Sequence, residues 1–382
     1  MSSENVQFEN LNRSENTIVF DIKNIDLSIV NSIRRLIFTN IQNVGFYFKL
    51  KDHFVENDMK FIHNNSPLHN EFLAHRISLI PLNFSGEEIE NWNSEDYTFV
   101  LHKELKATDT MQLEVTTQDF EIIGKDGNKL PRSFVQRIFP PNTFTKDYIL
   151  ITKLRPENNE NKIVHIEIVA KKGIAIDCIC WGCVSTCTFF NTIDENESKI
   201  ALNDLIEKGD PDSTKKIEKE FNTLQRYRHF HKNKYDEASV FTMTIESECA
   251  MTPEFIFTKA IYTCIEMLNG IVSEFMNDNT RVITVDNIGE IANFYLITIE
   301  GHTHTIGNLL QSLILNKYVR ESGVLEYIGY SVPHPLENTF IMKIKFKTDT
   351  SITELRSFMI KSINDIIDDL NNIRITFQEF TS

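Results

Sequence analysis

The chain is poor in positive charge and has no long apolar run, and both shortages narrow what it can do. With 39 basic against 54 acidic residues among 382, its net charge is −15. It therefore lacks the broad basic surface that grips a phosphate backbone. No stretch reaches the roughly 20 apolar residues of a membrane span. The most apolar candidate, Phe255 to Met276, is interrupted by Lys259, Glu266 and Glu274. No basic start followed by an apolar segment marks a secretory signal, and six cysteines in that setting read as free thiols in a reducing compartment. The chain is expected to be intracellular and soluble. Catalytic constellations are missing too. Glu71 and His75 are i and i+4 on a helix with Arg76 beside them, but no nucleophile, glycine-rich phosphate loop or carboxylate metal cluster accompanies them.

Helical periodicity is what the chain does have. Asp26 to Ile41 reads as an amphipathic helix with Ser28 as its N-cap, and Ile29, Ile33, Leu36, Ile37 and Ile41 share one face. Thr305 to Leu315 echoes it. Laying Ser28 on Thr305 aligns Ile29 with Ile306, Asn31 with Asn308, Ile33 with Leu310, Leu36 with Leu313 and Ile37 with Ile314. Two longer helices carry a spacing of three and four that seats one helix along another. One, opened by Thr252 and Pro253, presents Phe257, Ile261, Cys264, Leu268, Ile271 and Phe275. The other, Ser351 to Asn371, presents Ile352, Leu355, Met359, Ile363, Ile366 and Leu370, and continues to Ile373.

Between these helices lie strand-like segments: Thr17 to Ile22, Lys162 to Ala170, Val240 to Glu246, Phe294 to Glu300, Glu326 to Val332 and Thr339 to Phe346. Ser66 to Ile77 reads as a helix with Pro67 at its first position, stopping before Pro81. Ser213 to Phe230 is a polar helix candidate, and Tyr97 to Arg155 breaks into short strands separated by turn signals. The reading is an α+β protein. Residues 1–45 plus 160–277 form a larger module, 46–159 a β-rich insertion, 278–292 a linker of open conformation, and 293–382 a smaller module. Two modules with matching helices are expected to pair within the chain as a pseudo-dimer.

Three stretches resemble one family. NSIRRLIFTNI (Asn31 to Ile41), followed by NNSPLHNEFLAHRISLIPL (Asn64 to Leu82), is similar to the larger alpha-like subunit of cellular RNA polymerases. VAKKGIAIDCICWG (Val169 to Gly182) resembles the same subunit's Ala-Lys-Lys-Gly-Ile-Ala segment and the Trp after it. HTHTIGNLLQSLIL (His302 to Leu315), with YIGYSVPHPLENTFIMKI (Tyr327 to Ile344), resembles the small alpha-like subunit. A single chain carrying both resembles the polymerase subunit of large DNA viruses of eukaryotes, the asfarvirus-like group among them.

The resemblance implies a non-catalytic platform that pairs two alpha-like modules and docks the two large catalytic subunits of a DNA-directed RNA polymerase. It also implies small partner subunits of the zinc-ribbon and small zinc-bundle type. DNA and RNA would be met only through the complex, with no membrane and no homodimer. The setting implied is a viral factory in the host cytoplasm and the virion, with the nucleus as the alternative. Asn31, Arg34, Arg35, Glu71, His75 and Arg76 are then the large-subunit docking residues. Ile33, Leu36, Ile37, Phe257, Ile261, Leu268, Ile306, Leu310, Leu313, Met359, Ile363, Ile366 and Leu370 are the intrachain interface.

Two competing readings stand beside it. Cys178, Cys180, Cys183 and Cys187 form C-x-C-x2-C-x3-C, which would suit a stand-alone metalloprotein. The spacing is tighter than paired CxxC knuckles and no second knuckle follows, so the cysteines are read as free thiols and no cofactor is expected. A nucleic-acid-binding factor is disfavoured by charge. His302, His304 and His334 receive structural readings, at a helix start and in a proline-flanked turn.

Overall fold

The computed structural model describes residues 6–51, 54–56, 58–157, 160–208, 214–277, 281–287, 289 and 291–382. Its residues fall into two units: Met1–Ile37 with Thr186–Glu246 and Ile256–Ser382, and Phe38–Ser185 with Ser247–Phe255.

Within the first unit one topology occurs twice. One sheet runs in the order Gln7–Ser14, Thr17–Lys23, Val240–Ser247, Val184–Asn191; the other runs Ile283–Asn287, Phe294–Glu300, Thr339–Phe346, Leu325–Ser331. In both, the second strand leads into a short helix, Leu27–Thr39 or His304–Ile314. In both, the third leads into a long one, Pro253–Met276 or Ile352–Thr381. Strict alternation along Thr339–Phe346 buries Phe340, Met342, Ile344 and Phe346 on one face, and Phe241, Met243 and Ile245 do the same in the other sheet. The strand Ile283–Asn287 lies inside the stretch read as a linker and pairs antiparallel with Phe294–Glu300; residues 278–280, 288 and 290 of that stretch lie outside the described residues.

Several local readings are corrected. The first short helix is capped by Asp26 rather than Ser28: Asp26 Oδ1 accepts the Ser28 N–H at 2.8 Å, and Ser28 is buried as the helix's second residue. A carboxylate there also complements the helix dipole. Ile352 is 44% exposed and does not belong to the seam of its helix. The helix Pro253–Met276 is, by length and composition alone, long and apolar enough to cross a membrane; half of it is buried inside the protein, as in a core helix. The polar segment from Thr214 is α-helical only to Glu220, then widens into a π turn over Phe221–Gln225 and tightens into a 3₁₀ turn over Arg226–Arg228; Ser213 lies outside the described residues. A helix at Glu195–Lys208 was not anticipated, because Ser198 is its only buried residue and it shows no apolar stripe. Asp194 starts it, accepting the N–H groups of Asn196 and Glu197.

The second unit is built on a sheet in the order Met59–Asn64, Lys162–Ile168, Tyr97–Leu105, Phe120–Gly124. Met59, Phe99, Leu101, Val164, Ile166 and Ile168 are fully buried. The rings of Phe46, Phe99, Phe120 and Phe139 cluster at centroid separations of 4.8–6.3 Å. The helix expected from Pro67 begins only at Asn70. Asn64 and Ser66 explain the delay: Asn64 Oδ1 accepts the Ser66 N–H, while Asn64 Nδ2 and Ser66 Oγ both donate to the Leu68 carbonyl, fixing a turn instead of a first helical turn. The unit boundaries also differ from the sequence division. Lys171–Ile174 pairs antiparallel with Gln42–Gly45, which gathers residues 38–45 and 160–185 into the unit that holds 46–159.

One ion pair in this unit gives an acid-limb prediction. Ser85 and Glu88 form a capping box at the helix Gly86–Glu90, and Arg137 grips Glu88 with two nitrogens at 2.8 and 3.0 Å. The Arg137 guanidinium, with help from Ser85, brings the Glu88 carboxyl down from 4.5 to about 2. The folded value is the lower one, so its stabilisation is present above pH 4.5 and lost as pH falls towards 2. The Glu88 side chain is 37% exposed, so solvent screening holds the effect to about 1 kcal/mol or less. Glu88→Gln should be slightly destabilised in urea titrations at pH 7 and indistinguishable from the parent at pH 2. An equal loss at both pH values would exclude the charge.

Candidate functional site

The two short helices of the first unit meet each other antiparallel. Ser32 Oγ donates to the Thr305 carbonyl at 3.2 Å and Arg35 Nε to Thr305 Oγ1 at 2.8 Å, so the later part of one helix touches the start of the other. Reciprocally, Ser312 Oγ donates to the Asp26 carboxylate at 3.1 and 3.2 Å, and Asn316 Nδ2 donates to it at 2.9 Å. Ser28 and Thr305 are each the second residue of their helix, and Arg35 and Ser312 each lie seven residues further on. Each helix therefore reaches the start of its partner from the same position, which is the signature of a self-complementary interface.

The long helices run antiparallel as well. Phe257, near the start of one, packs on Phe377, near the end of the other, at 4.2 Å between rings. Arg356 Nη1, near the start of the second, lies 3.5 Å from the Phe275 carbonyl at the end of the first. Phe257, Ile261, Leu268, Leu355, Met359, Ile363, Ile366 and Leu370 of the long helices are all buried, as are Ile33, Leu36, Ile37, Ile306, Leu310 and Leu313 of the short ones. Charge reinforces the join at the surface. Arg320 grips Glu237 with two nitrogens at 2.8 and 3.0 Å and lies 4.6 Å over the Tyr235 ring, while Lys234 pairs with Glu321 at 3.2 Å. Beside this clasp is a cleft of about 630 Å³ lined by Asp26, Tyr235, Lys317, Asp365 and Asp369.

The expected docking residues separate into two groups. Asn31, Arg34 and Arg35 belong to the first unit; Glu71, His75 and Arg76 belong to the second. Arg34 is half-buried and donates to its helical neighbour Asn31 through Nε and Nη2. Arg35 is exposed and takes part in the helix–helix join described above. Arg76 donates to the Ile151 and Leu150 carbonyls, both at 2.8 Å, and so ties its helix to the strand Leu150–Leu154. Phe72, on the same helix, is 57% exposed and was not singled out from sequence.

The motif glycines have packing reasons. A Cβ on Gly307 would meet the Tyr330 ring at 2.8 Å and the Phe340 ring at 3.2 Å; His304 Nδ1 stands 3.2 Å from the Tyr330 hydroxyl. A Cβ on Gly173 would strike the Trp181 indole at 2.5 Å, and that indole donates to the Lys171 carbonyl and stacks on Tyr47. His334 Nδ1 accepts the Leu336 N–H, closing the proline-flanked turn, and burial lowers the His302 pKa.

These repeated, paired elements coincide with two family-model matches. The RNA polymerase Rpb3/Rpb11 dimerisation domain matches residues 19–268 in one form and 295–375 in a second. The chain belongs to the Rpb3/Rpb11 dimerisation family. Its relatives include the DNA-directed RNA polymerases I and III subunit rpac1 of Dictyostelium discoideum, 27% identical over 310 residues, or 72% of this chain and 83% of that protein. The RNA polymerase II subunit rpb3 of the same organism is 25% identical over 206 residues (51% of this chain, 61% of that protein). The RNA polymerase II subunit RPB3 of Schizosaccharomyces pombe is 27% identical over 192 residues (47% and 57%). The chain thus spans somewhat over half the length of these last two relatives. It is an alpha-like RNA polymerase subunit.

In this Rpb3/Rpb11-type chain the cysteine run is mostly interior. Cys180, Cys183 and Cys187 are buried and Cys178 is half-exposed. Burial pushes the Cys187 thiol up to about 12 and raises that of Cys180 as well, which keeps both protonated at neutral pH. Among the described residues, no group of three or more His, Cys, Asp or Glu side chains gathers at metal-holding distance. Three contributors to the join were missed from sequence: Asp26, the Arg320–Glu237 clasp and Phe377. Asp26 had a signal, since Asp is a favoured cap immediately before the periodic stripe. Phe377 also had one, standing four residues beyond Ile373 in the same spacing. The clasp had none, because its partners lie 83 residues apart.

Proposed function

We propose that this chain is a fused assembly platform: two alpha-like modules joined covalently and paired with each other, which dock the two large catalytic subunits of a DNA-directed RNA polymerase. The observation that carries it is the duplicated sheet-and-two-helix topology in one chain, its equivalent helices meeting antiparallel. Covalent linkage removes the concentration dependence of pairing, because the second module is always held near the first. The two faces so formed are similar but unequal, and each selects one large subunit. Arg34 is the leading docking residue of the first unit, since a planar guanidinium on a helix flank suits bidentate pairing in a desolvated interface. Asn31 beside it, and Glu71, His75 and Arg76 in the second unit, are assigned the same role. The chain itself supplies no catalytic residue; nucleotide transfer belongs to the complex. A viral setting, cytoplasmic factory and virion included, goes with the fused form, as do small subunits of the zinc-ribbon and zinc-bundle type.

The test is affinity purification of the tagged chain from its native expression context, followed by mass spectrometry. Recovery of two very large polymerase subunits in equal amount, with no second alpha-like chain, is the expected result. Recovery of a separate small alpha-like subunit would refute the fusion. Arg34→Glu should fold normally yet lose most of the large-subunit yield, and undiminished recovery would remove Arg34 from the interface.

A further inference from the structure

The first two cysteines of the C-x-C-x2-C-x3-C run stand together in the second unit, and neither pairing nor docking uses them. Cys178 is the extended residue that opens the 3₁₀ turn Ile179–Trp181, and it is half-exposed. Cys180 lies inside that turn and is buried, and its thiol is in hydrogen-bonding contact with that of Cys178. A helical residue between them, Ile179, holds the two Cα atoms roughly 5–5.5 Å apart, inside the span of about 4.4–6.8 Å that a disulfide bridges. The turn is clamped around the pair. The Trp181 N–H donates to the Cys178 carbonyl at 3.2 Å, and the Gly182 N–H to the Ile179 carbonyl at 2.8 Å. Asn43 Nδ2 donates to the Gly182 carbonyl at 3.3 Å, and the Trp181 indole is seated on Gly173 and Tyr47. The Cys180 carbonyl itself lies so close over Gly45 that a Cβ there would strike it. The remaining cysteines are placed differently: Cys183, Cys187 and Cys264 are buried, and Cys249 turns its thiol to the Cys183 carbonyl at 3.7 Å.

We propose that Cys178 and Cys180 are a thiol–disulfide exchange site, closed to an intramolecular disulfide by small aliphatic disulfides of the glutathione type and reopened by the corresponding thiol. The Cys178 thiolate attacks one sulfur of the small disulfide R–S–S–R. The Cys178–S–S–R bond forms as the R–S–S–R bond breaks, and the departing R–S⁻ takes up the proton that Cys178 gave. Cys180 then yields its proton to water and attacks the Cys178 sulfur. The bond between the two cysteines forms, and the second R–S⁻ leaves and is protonated in turn. Two protein thiols are oxidised and R–S–S–R is reduced to two R–SH, so no further oxidant takes part. Exposure sets the order of attack. Cys178 is the one of the two that a soluble disulfide reaches, whereas burial raises the Cys180 pKa and keeps that thiol protonated until a mixed disulfide stands beside it. The clamped turn supplies the second thiol without a change of fold, which favours ring closure over a lasting mixed disulfide. Ile179, 68% exposed, lies between the two cysteines, and Ile176, 62% exposed, lies just before them. The closed form therefore fixes an apolar segment of the surface in one conformation.

The test is treatment of the reduced full chain with glutathione disulfide, followed by acid quenching, alkylation of the remaining thiols under denaturing conditions, and intact and peptide mass spectrometry. The expected result is the loss of two of the six alkylatable thiols, a peptide carrying a Cys178–Cys180 bond, and recovery of all six after excess reduced glutathione. Cys180→Ser should stop at a glutathione adduct on Cys178, because the second attack has no nucleophile. Cys178→Ser should keep its thiols free over the same time, and Cys249→Ser should close the pair as the parent does. Serine differs from cysteine by one atom, so all three variants should retain the parent circular dichroism, and the intermediate trapped in Cys180→Ser reports a step that a purely structural pair would not perform. A lasting glutathione adduct on Cys178 of the parent, a bond from Cys178 to Cys183 or Cys249, or six free thiols after treatment would each overturn the assignment.

Discussion

Leu370→Asp should unfold the first unit, and Leu268→Asp should do the same. Both leucines are completely buried, one on each long helix. A carboxylate at either position has no water, and a charge buried without a partner costs several kcal/mol even after it escapes by protonation. Total stabilities are about 5–15 kcal/mol, and losses above about 4 come from a short set of mechanisms, of which this is one. A control lies in the same helix. Ile352 shares the sequence spacing of the seam but is 44% exposed, so Ile352→Asp should stay within about 0.5 kcal/mol of the parent. The measurement is the urea midpoint of the three variants. If Leu370→Asp behaves like Ile352→Asp, the long helices do not bury each other in solution.

Phe377→Ala should remove about 3–5 kcal/mol, the usual cost of emptying a fully buried phenylalanine site. Its ring lies 5.1 Å from Phe8, 5.2 Å from Phe20 and 4.2 Å from Phe257. Those three come from the first sheet and its long helix, whereas Phe377 arrives on the last helix of the chain. The cluster therefore closes one repeat with a residue of the other. In a double-mutant cycle with Phe257→Ala, the coupling should be about 0.5–1.5 kcal/mol. Zero coupling would mean that the two rings contribute independently and do not form a joint.

The long helices show how far pattern alone reaches. Phe257, Ile261, Leu268 and Leu370 were named for the seam from their spacing and are buried, since a repeat of three and four on a helix leaves one continuous apolar side to cover. The same rule included Ile352 wrongly: the first turn of a helix can project beyond its partner, and spacing carries no information about where the partner ends. Local competition defeated the reading at Pro67, where the side chains of Asn64 and Ser66 offered the backbone a turn in place of a helix. The helix Glu195–Lys208 escaped notice because a helix with little buried surface writes no apolar stripe.

By itself, then, the sequence determined the membership, the α+β class, the two matching short helices and the apolar faces of the two long ones. Those follow from periodicity and from multi-residue motifs whose glycines must leave room for Tyr330 and Trp181. Tertiary structure decided which contacts join the repeats: Asp26 to Ser312 and Asn316, Arg35 to Thr305, Arg320 to Glu237 and Phe377 to Phe8, Phe20 and Phe257. These pairs bring together residues tens to hundreds of positions apart. Their geometry is set by strand register and helix crossing, which hydrophobic spacing constrains only to a face and never to a partner.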